Sequence, residues 1–447
     1  MTTSVPKERS TRSPASRVPL PDGTIPVGIA LVVAGIATYA FFAVGQKAVG
    51  GDAEFKPISS LWFATFALAP GFFIPLEQEL GRALSSRRAL GRGGQPVVAK
   101  IVRLGAILAA LVSIVVLAAS PVITSSYFDG NWVMLIALLV AFAMYAPAHL
   151  ARGICSGTGQ FRDYAIVMGS DGVVRIALCI ALAAIGVTAA GAYGFAVALA
   201  PLVGLVIVVR RGALRTKPGP EATWPEVTPN LGWLLAGSTC AAALLNAGPV
   251  VTALLAEEFQ DDQVAQFGYG VLLARVPLFL FQAVQAALLP RLSRLAARAE
   301  FDEFRNGFKK LMVIVTVVGT VGTLGAFVIG PWVSRLVFDA DLSGRTLAML
   351  ALGSALYMAA LATAQAVIAL HGHALVAMGW LLGVAVFGLG TWLSSDELFP
   401  RVEIGLVLSS AAALVAFAIA LRRKLAEGAQ PDEGSMMEAI TDIPLET

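Results

Sequence analysis

Twelve times along its 447 residues the sequence turns apolar for a stretch long enough to span a bilayer, with centres near residues 37, 67, 112, 142, 178, 200, 242, 279, 320, 357, 383 and 411. About 20 such residues, wound as a helix, cross roughly 30 Å of hydrocarbon. Inside lipid the helix is the element that satisfies its backbone within one segment. The runs therefore predict an all-α integral membrane protein of twelve transmembrane helices. Charged residues make up 14% of the chain, against roughly 25% in a soluble domain, which excludes a water-soluble globular class.

The flanks differ from this body. Residues 1–25 are rich in Ser, Thr, Pro and Arg and read as a disordered leader. The apolar run behind them is too long, and lacks the small-residue site, for a cleavable signal. The last stretch, 425–447, carries acidic residues and no Lys or Arg after Lys424, which suits a solvated, unstructured tail.

With loops assigned alternately to the two sides, 25 of the 32 Lys and Arg fall on the side of the termini and five on the other: Lys47, Lys56, Arg335, Arg345 and Arg401. The loop "EEFQDDQ" on that second side is purely acidic. Short basic loops stay in the cytoplasm, so a multi-pass protein of the plasma membrane with both termini cytoplasmic is expected. Two arginines remain, Arg175 and Arg275, both inside apolar spans.

The chain also repeats weakly at an offset near 210. "SPVITSSYFD" (120–129) matches "GPWVSRLVFD" (330–339), "YAIVMG" (164–169) matches "ALVAMG" (374–379), and Pro70 and Gln78 match Pro277 and Gln285. Six helices per repeat is an even number, so the two copies point the same way through the membrane. This predicts an N-terminal lobe over 26–211, a cytoplasmic linker over 212–229 and a C-terminal lobe over 230–424, in the parallel arrangement used by alternating-access transporters. A site is then expected between the lobes.

Other chemistries lack their residues. No G-x-x-x-x-G-K-[ST] phosphate loop is present. The outward loops are too short for a catalytic domain, "HGH" (371–373) has no third metal ligand nearby, and Cys155, Cys179 and Cys240 have neither pairing nor metal spacing. Neither an enzyme, nor a cofactor or metal, nor a nucleic-acid partner is expected.

Three segments carry a family resemblance: "GFFIPLEQELGRAL" (71–84), "RGICSGTGQFRDYAIVMGSDGVVRIAL" (152–178) and "FGYGVLLARVPLFLFQAVQAALLPRLSRLAA" (267–297). They resemble the multidrug, oligosaccharidyl-lipid and polysaccharide exporter superfamily, and within it the polysaccharide flippases, with "LEQELGR" similar to an actinobacterial branch. The resemblance implies a translocator of polyprenyl-diphosphate-linked glycan from the inner to the outer leaflet, with membrane lipids around it and glycosyltransferases or a polymerase of the same pathway as candidate partners. In "VGQKAVGGDAEF" Lys47 stands where flippases often carry an arginine, and Lys56 follows Phe55 where glycine is usual. Lys47 is thereby a candidate substrate contact.

A diphosphate crossing the membrane needs fixed cations facing a wet path, because an unpaired charge in the apolar interior costs several kcal/mol. Arg175 and Arg275 are the deep candidates. Gln282 and Gln285 follow Arg275 on one helical stripe and reach either sugar hydroxyls or a facing helix. Asp171, four residues before Arg175, makes a helical pair with it, so Arg175 serves either as glue between helices or as a substrate contact. Glu77 and Glu79, ahead of Arg82, Arg87 and Arg88, either gate the cytoplasmic face by pairing with the other lobe or pair locally with Arg82. The competing readings are a cation or drug antiporter of the same superfamily, which requires free intramembrane carboxylates, and a non-transporting scaffold for glycan synthesis, which needs no charged interior.

Overall fold

The computed structural model describes residues 24–228, 231–257, 260–278, 281, 292, 295–296 and 298–427. Every regular element among them is helical. The first half contains α1 (Thr24–Val49), α2 (Asp52–Ala89), α3 (Gln95–Ala118), α4 (Ser120–Tyr127), α5 (Trp132–Gly157), α6 (Phe161–Ala184), α7 (Ala190–Leu199) and α8 (Pro201–Arg210). A short α9 (Trp224–Val227) lies in the linker. The second half contains α10 (Leu231–Leu255), α11 (Asp261–Ala274), α12 (Phe301–Val328), α13 (Gly330–Phe338), α14 (Gly344–Ala369), α15 (His373–Leu393) and α16 (Leu398–Glu427).

Eleven helices among the described residues are long and apolar enough to cross a membrane. The twelfth expected span, centred near residue 279, lies partly outside the described residues. The repeat appears as matched elements: the two "FD" segments end the short helices α4 and α13, and the two "MG" segments lie in α6 and α15. Within the N lobe α1 packs on α6 and α2 on α5; within the C lobe α15 and α14 both pack on α16. The lobes meet chiefly along α2 and α10, where Gly71 lets the backbones close: a Cβ there would stand 2.9 Å from the Thr239 Cα. The helices run between two unlike ends, a basic end holding the termini of the bundle and an acidic end holding Asp52, Asp129 and Asp261.

Helix α2 is 38 residues long, about 57 Å at 1.5 Å per residue, so its last turns project at the basic end. Those turns hold the linker. Arg87 is buried and its guanidinium donates to the Glu226 carboxylate at 2.6 and 3.0 Å, to the Gly93 and Pro220 carbonyls at 2.9 and 2.8 Å, and to Glu221 O at 3.3 Å. Arg82 reaches the Glu226 carbonyl at 2.7 Å, and Lys100 donates to Ala222 O while lying over the Trp224 ring. The chain passes itself so closely here that a Cβ on Gly93 would stand 1.9 Å from Pro218 O.

Candidate functional site

A cavity of about 700 Å³ lies between the lobes, walled by α1, α2, α5 and α6 on one side and by α10, α11, α14 and α15 on the other. Its making begins with proline. A proline in a helix removes the donor that the carbonyl four residues earlier would have used, and a carbonyl left bare in an apolar interior is costly. Pro70 in α2 frees Phe66 O, and Pro249 in α10 frees Leu245 O. Both are taken by side chains: Asn246 Nδ2 donates to Phe66 O at 3.0 Å across the lobe boundary, and Arg275 Nη2 donates to Leu245 O. Asn246 Oδ1 accepts from Arg275 Nη1 at 3.1 Å. Helix α11 itself stops at Ala274, three residues before Pro277, so Arg275 sits at a break in a membrane helix, the kind of interruption that lines a cavity.

Arg275 is 7% exposed, lies with its guanidinium carbon 5.6 Å from the centroid of the Phe63 ring, and has no carboxylate partner among the described residues. Its two bonds go to neutral oxygens, which leaves three of its five N–H donors. Arg175, on the other wall, is paired. Its Nη2 donates to Asp171 and to the Tyr145 hydroxyl at 3.0 Å, Tyr145 lies 3.2 Å from Asp171, and the guanidinium stacks 4.4 Å over Trp62.

Toward the basic end the same wall carries a second network. Glu77 Oε2 accepts from Arg152 at 2.5 and 3.0 Å and stands 2.8 Å from His149 Nδ1, while Glu77 Oε1 accepts from Tyr164 OH at 2.9 Å. Glu77 is buried, lines the cavity, and has all its hydrogen-bond partners in the N lobe. Glu79 pairs with Arg82 three residues on, at 2.7 Å. Arg152, counted as a loop cation from the sequence, is inside α5. Lys47 is exposed at the acidic end of α1 and is absent from the cavity wall. Gln282 and Gln285 lie outside the described residues.

Sequence reasoning missed His149, Arg152, Tyr145, Tyr164 and Asn246 as wall residues. The signal for Asn246 was present: the proline four residues after Phe66 announces a carbonyl that needs a donor. It also passed over Lys56, which is buried and bridges the lobes at the acidic end. Lys56 Nζ is 2.9 Å from Asp129 in the N lobe and 2.7 Å from Asp261 in the C lobe. Beside it Asp52 accepts from Tyr269 at 3.0 Å and from Gln266 at 3.2 Å, again across the lobes. Below these bonds Phe42, Phe55, Tyr269 and Phe338 form a ring-to-ring layer. The acidic end of the cavity is thus shut by lobe-to-lobe contacts.

A family model described as "Lipid II flippase MurJ" matches residues 164–362. Among curated proteins the chain is 25% identical over 393 residues to an uncharacterized protein of Mycobacterium bovis, covering 81% of this chain and 84% of that protein. An uncharacterized protein of Mycobacterium tuberculosis is 24% identical over 388 residues, covering 82% and 84%. Among solved structures, a Vibrio cholerae MATE transporter superposes with a TM-score of 0.65 at 15% identity, over 93% of this chain and 98% of that one. An inward-facing multidrug resistance MATE family transporter of the MOP superfamily gives 0.62 at 14% identity over 93% and 98%. The outward-facing form of such a transporter also gives 0.62, at 15% identity over 90% and 96%. The overall likeness is therefore of fold and favours neither orientation of the lobes.

Proposed function

For a chain carrying the fold of the multidrug, oligosaccharidyl-lipid and polysaccharide exporter superfamily, we propose a flippase that carries polyprenyl-diphosphate-linked glycan from the cytoplasmic to the outer leaflet. The family model for lipid II flippases supports a lipid-linked cargo. The observation that carries the reading is Arg275, a buried cation at the junction of the lobes that lines the cavity and whose partners among the described residues are neutral. A guanidinium left without a counter-charge in an apolar bundle calls for an anion from outside, and its planar fork suits phosphate oxygens. Both described carboxylates on the cavity wall, Glu77 and Asp171, are already paired with arginines, which favours anionic cargo over the cations an antiporter exchanges.

In this reading the basic end is cytoplasmic, and the Lys56 bridge closes the outer side while the cavity receives cargo. Arg175 joins the cavity as a paired wall residue. A gate made by Glu77 or Glu79 would belong to the opposite state, since both pair inside the N lobe here.

The test is transport itself. Arg275→Ala should abolish transfer of lipid-linked glycan, measured as its accumulation in the inner leaflet of cells depleted of the native protein, while the purified variant stays monodisperse. Arg275→Lys should restore transport only in part, since it keeps the charge and loses the bidentate geometry. Normal export by Arg275→Ala would sink the charged-cavity mechanism and favour the scaffold reading.

A further inference from the structure

We propose that the N-lobe wall of the cavity is a saccharide subsite, distinct from the anion position at Arg275. The proposal rests on the reading of Arg275 as a phosphate contact and adds where the rest of the headgroup lies. The wall is built from two closed networks, Glu77 with Arg152, His149 and Tyr164, and Asp171 with Arg175 and Tyr145. Two arginines and two carboxylates cancel, so the wall offers a phosphate little net attraction. It offers hydroxyls a dense set of donors and acceptors that are already fixed in place by one another, so that little side-chain ordering remains to be paid on binding.

Capacity remains in both networks. Arg175 Nε is buried without a hydrogen-bond partner, and Glu77 Oε1 receives one bond where a carboxylate oxygen can accept two. The facing C-lobe wall mixes apolar side chains such as Trp233, Leu361 and Trp380 with scattered polar ones, Ser238, Gln365 and His373, and among the described residues it holds no charge-paired network like the two on the N-lobe wall. Distance fits an extended headgroup. Glu77 follows Phe66, whose carbonyl holds the Asn246 partner of Arg275, by 11 positions in α2, about 16 Å along the helix. Phosphates at the lobe junction would thus place attached sugars along α2 toward the basic end.

The experiment compares probes on the purified full chain by calorimetry: farnesyl diphosphate, and farnesyl diphosphate bearing a disaccharide of glucose, galactose or N-acetylglucosamine. At least one disaccharide probe should bind roughly tenfold tighter or more than the bare diphosphate, the yield of one to three net hydrogen bonds. Tyr164→Phe, which deletes a single hydroxyl and no charge, should cut that ratio about three- to tenfold with affinity for farnesyl diphosphate unchanged, and Glu77→Gln, which also frees the Arg152 charge, should bring the ratio near one. Arg275→Ala should weaken both kinds of probe alike and keep the ratio. No gain with any disaccharide, or a ratio that survives both N-lobe substitutions, overturns the saccharide subsite. Farnesyl diphosphate that binds native protein and Arg275→Ala equally, or fails to bind the native protein, overturns the Arg275 reading instead.

Discussion

The two lobes share one plan and treat charge in opposite ways. On the N-lobe wall the described charges stand beside their opposites, Glu77 with Arg152 and Asp171 with Arg175, whereas on the C-lobe wall Arg275 has Asn246 and a backbone carbonyl and, among the described residues, no carboxylate. The related helices α2 and α11 diverge at matched prolines. Helix α2 runs through Pro70 and lets Asn246 satisfy the freed carbonyl; α11 stops short of Pro277 and sets Arg275 at the break. Paired charges hold a wall in shape from within, while an unpaired one is completed by something that arrives.

The sharpest way to break this comparison is to unpair the N lobe. Asp171→Ala leaves Arg175, 2% exposed, without its counter-charge, and removing one partner of a buried pair typically costs about 3–5 kcal/mol. Thermal unfolding in detergent should show that loss. Arg275→Ala removes a charge that no carboxylate offsets, so its stability should change by less than about 1–2 kcal/mol, the scale of its two lost hydrogen bonds. Equal destabilisation by the two substitutions would erase the contrast between the lobes.

A smaller effect is expected where the lobes are joined. Lys56→Met removes the bridge between Asp129 and Asp261, whose carboxylates are partly exposed. A shift of about 1.4 kcal/mol between lobe orientations would change their ratio roughly tenfold. In a chain with its native cysteines replaced by alanine, a cysteine at the cavity residue Thr38 should then react about tenfold faster with an impermeant thiol reagent added from outside. Unchanged labelling would mean that the aromatic layer alone keeps that end shut. Smallest of all should be Glu79→Gln. Its Arg82 partner is 39% exposed on the same helix, where such pairs contribute about 0.3–0.5 kcal/mol. A loss above 1 kcal/mol would show that the Glu79 pair supports more than its own turn.

The features legible in the sequence are those written within one helix or one period. Apolar runs gave the spans, the offset near 210 gave matched α4 and α13, and the four-residue spacing of Asp171 and Arg175 gave a pair that the structure contains. The illegible ones join distant positions. Glu77 meets His149 and Arg152 of α5 and Tyr164 of α6 at separations of 72, 75 and 87 residues, and Lys56 meets Asp261 at 205. Periodicity along a helix holds no record of which helix packs against it. Arg82 and Arg87 read as a cytoplasmic burst of charge, and the sequence alone does not show that their guanidiniums grip a segment more than 130 residues downstream.

That grip bears on how the chain is made. The Arg87 guanidinium cannot be enclosed until Glu226 and the carbonyls of Pro220 and Glu221 have left the ribosome, so the first half of the molecule is finished by residues that follow its last membrane helix. A chain cut after Arg211 would leave a buried cationic socket empty, and one cut after Thr228 would fill it. During synthesis the N lobe therefore becomes complete only when residues 220–226 have emerged, just as α10 begins, which makes the linker the closing piece of one half before the other has started to insert.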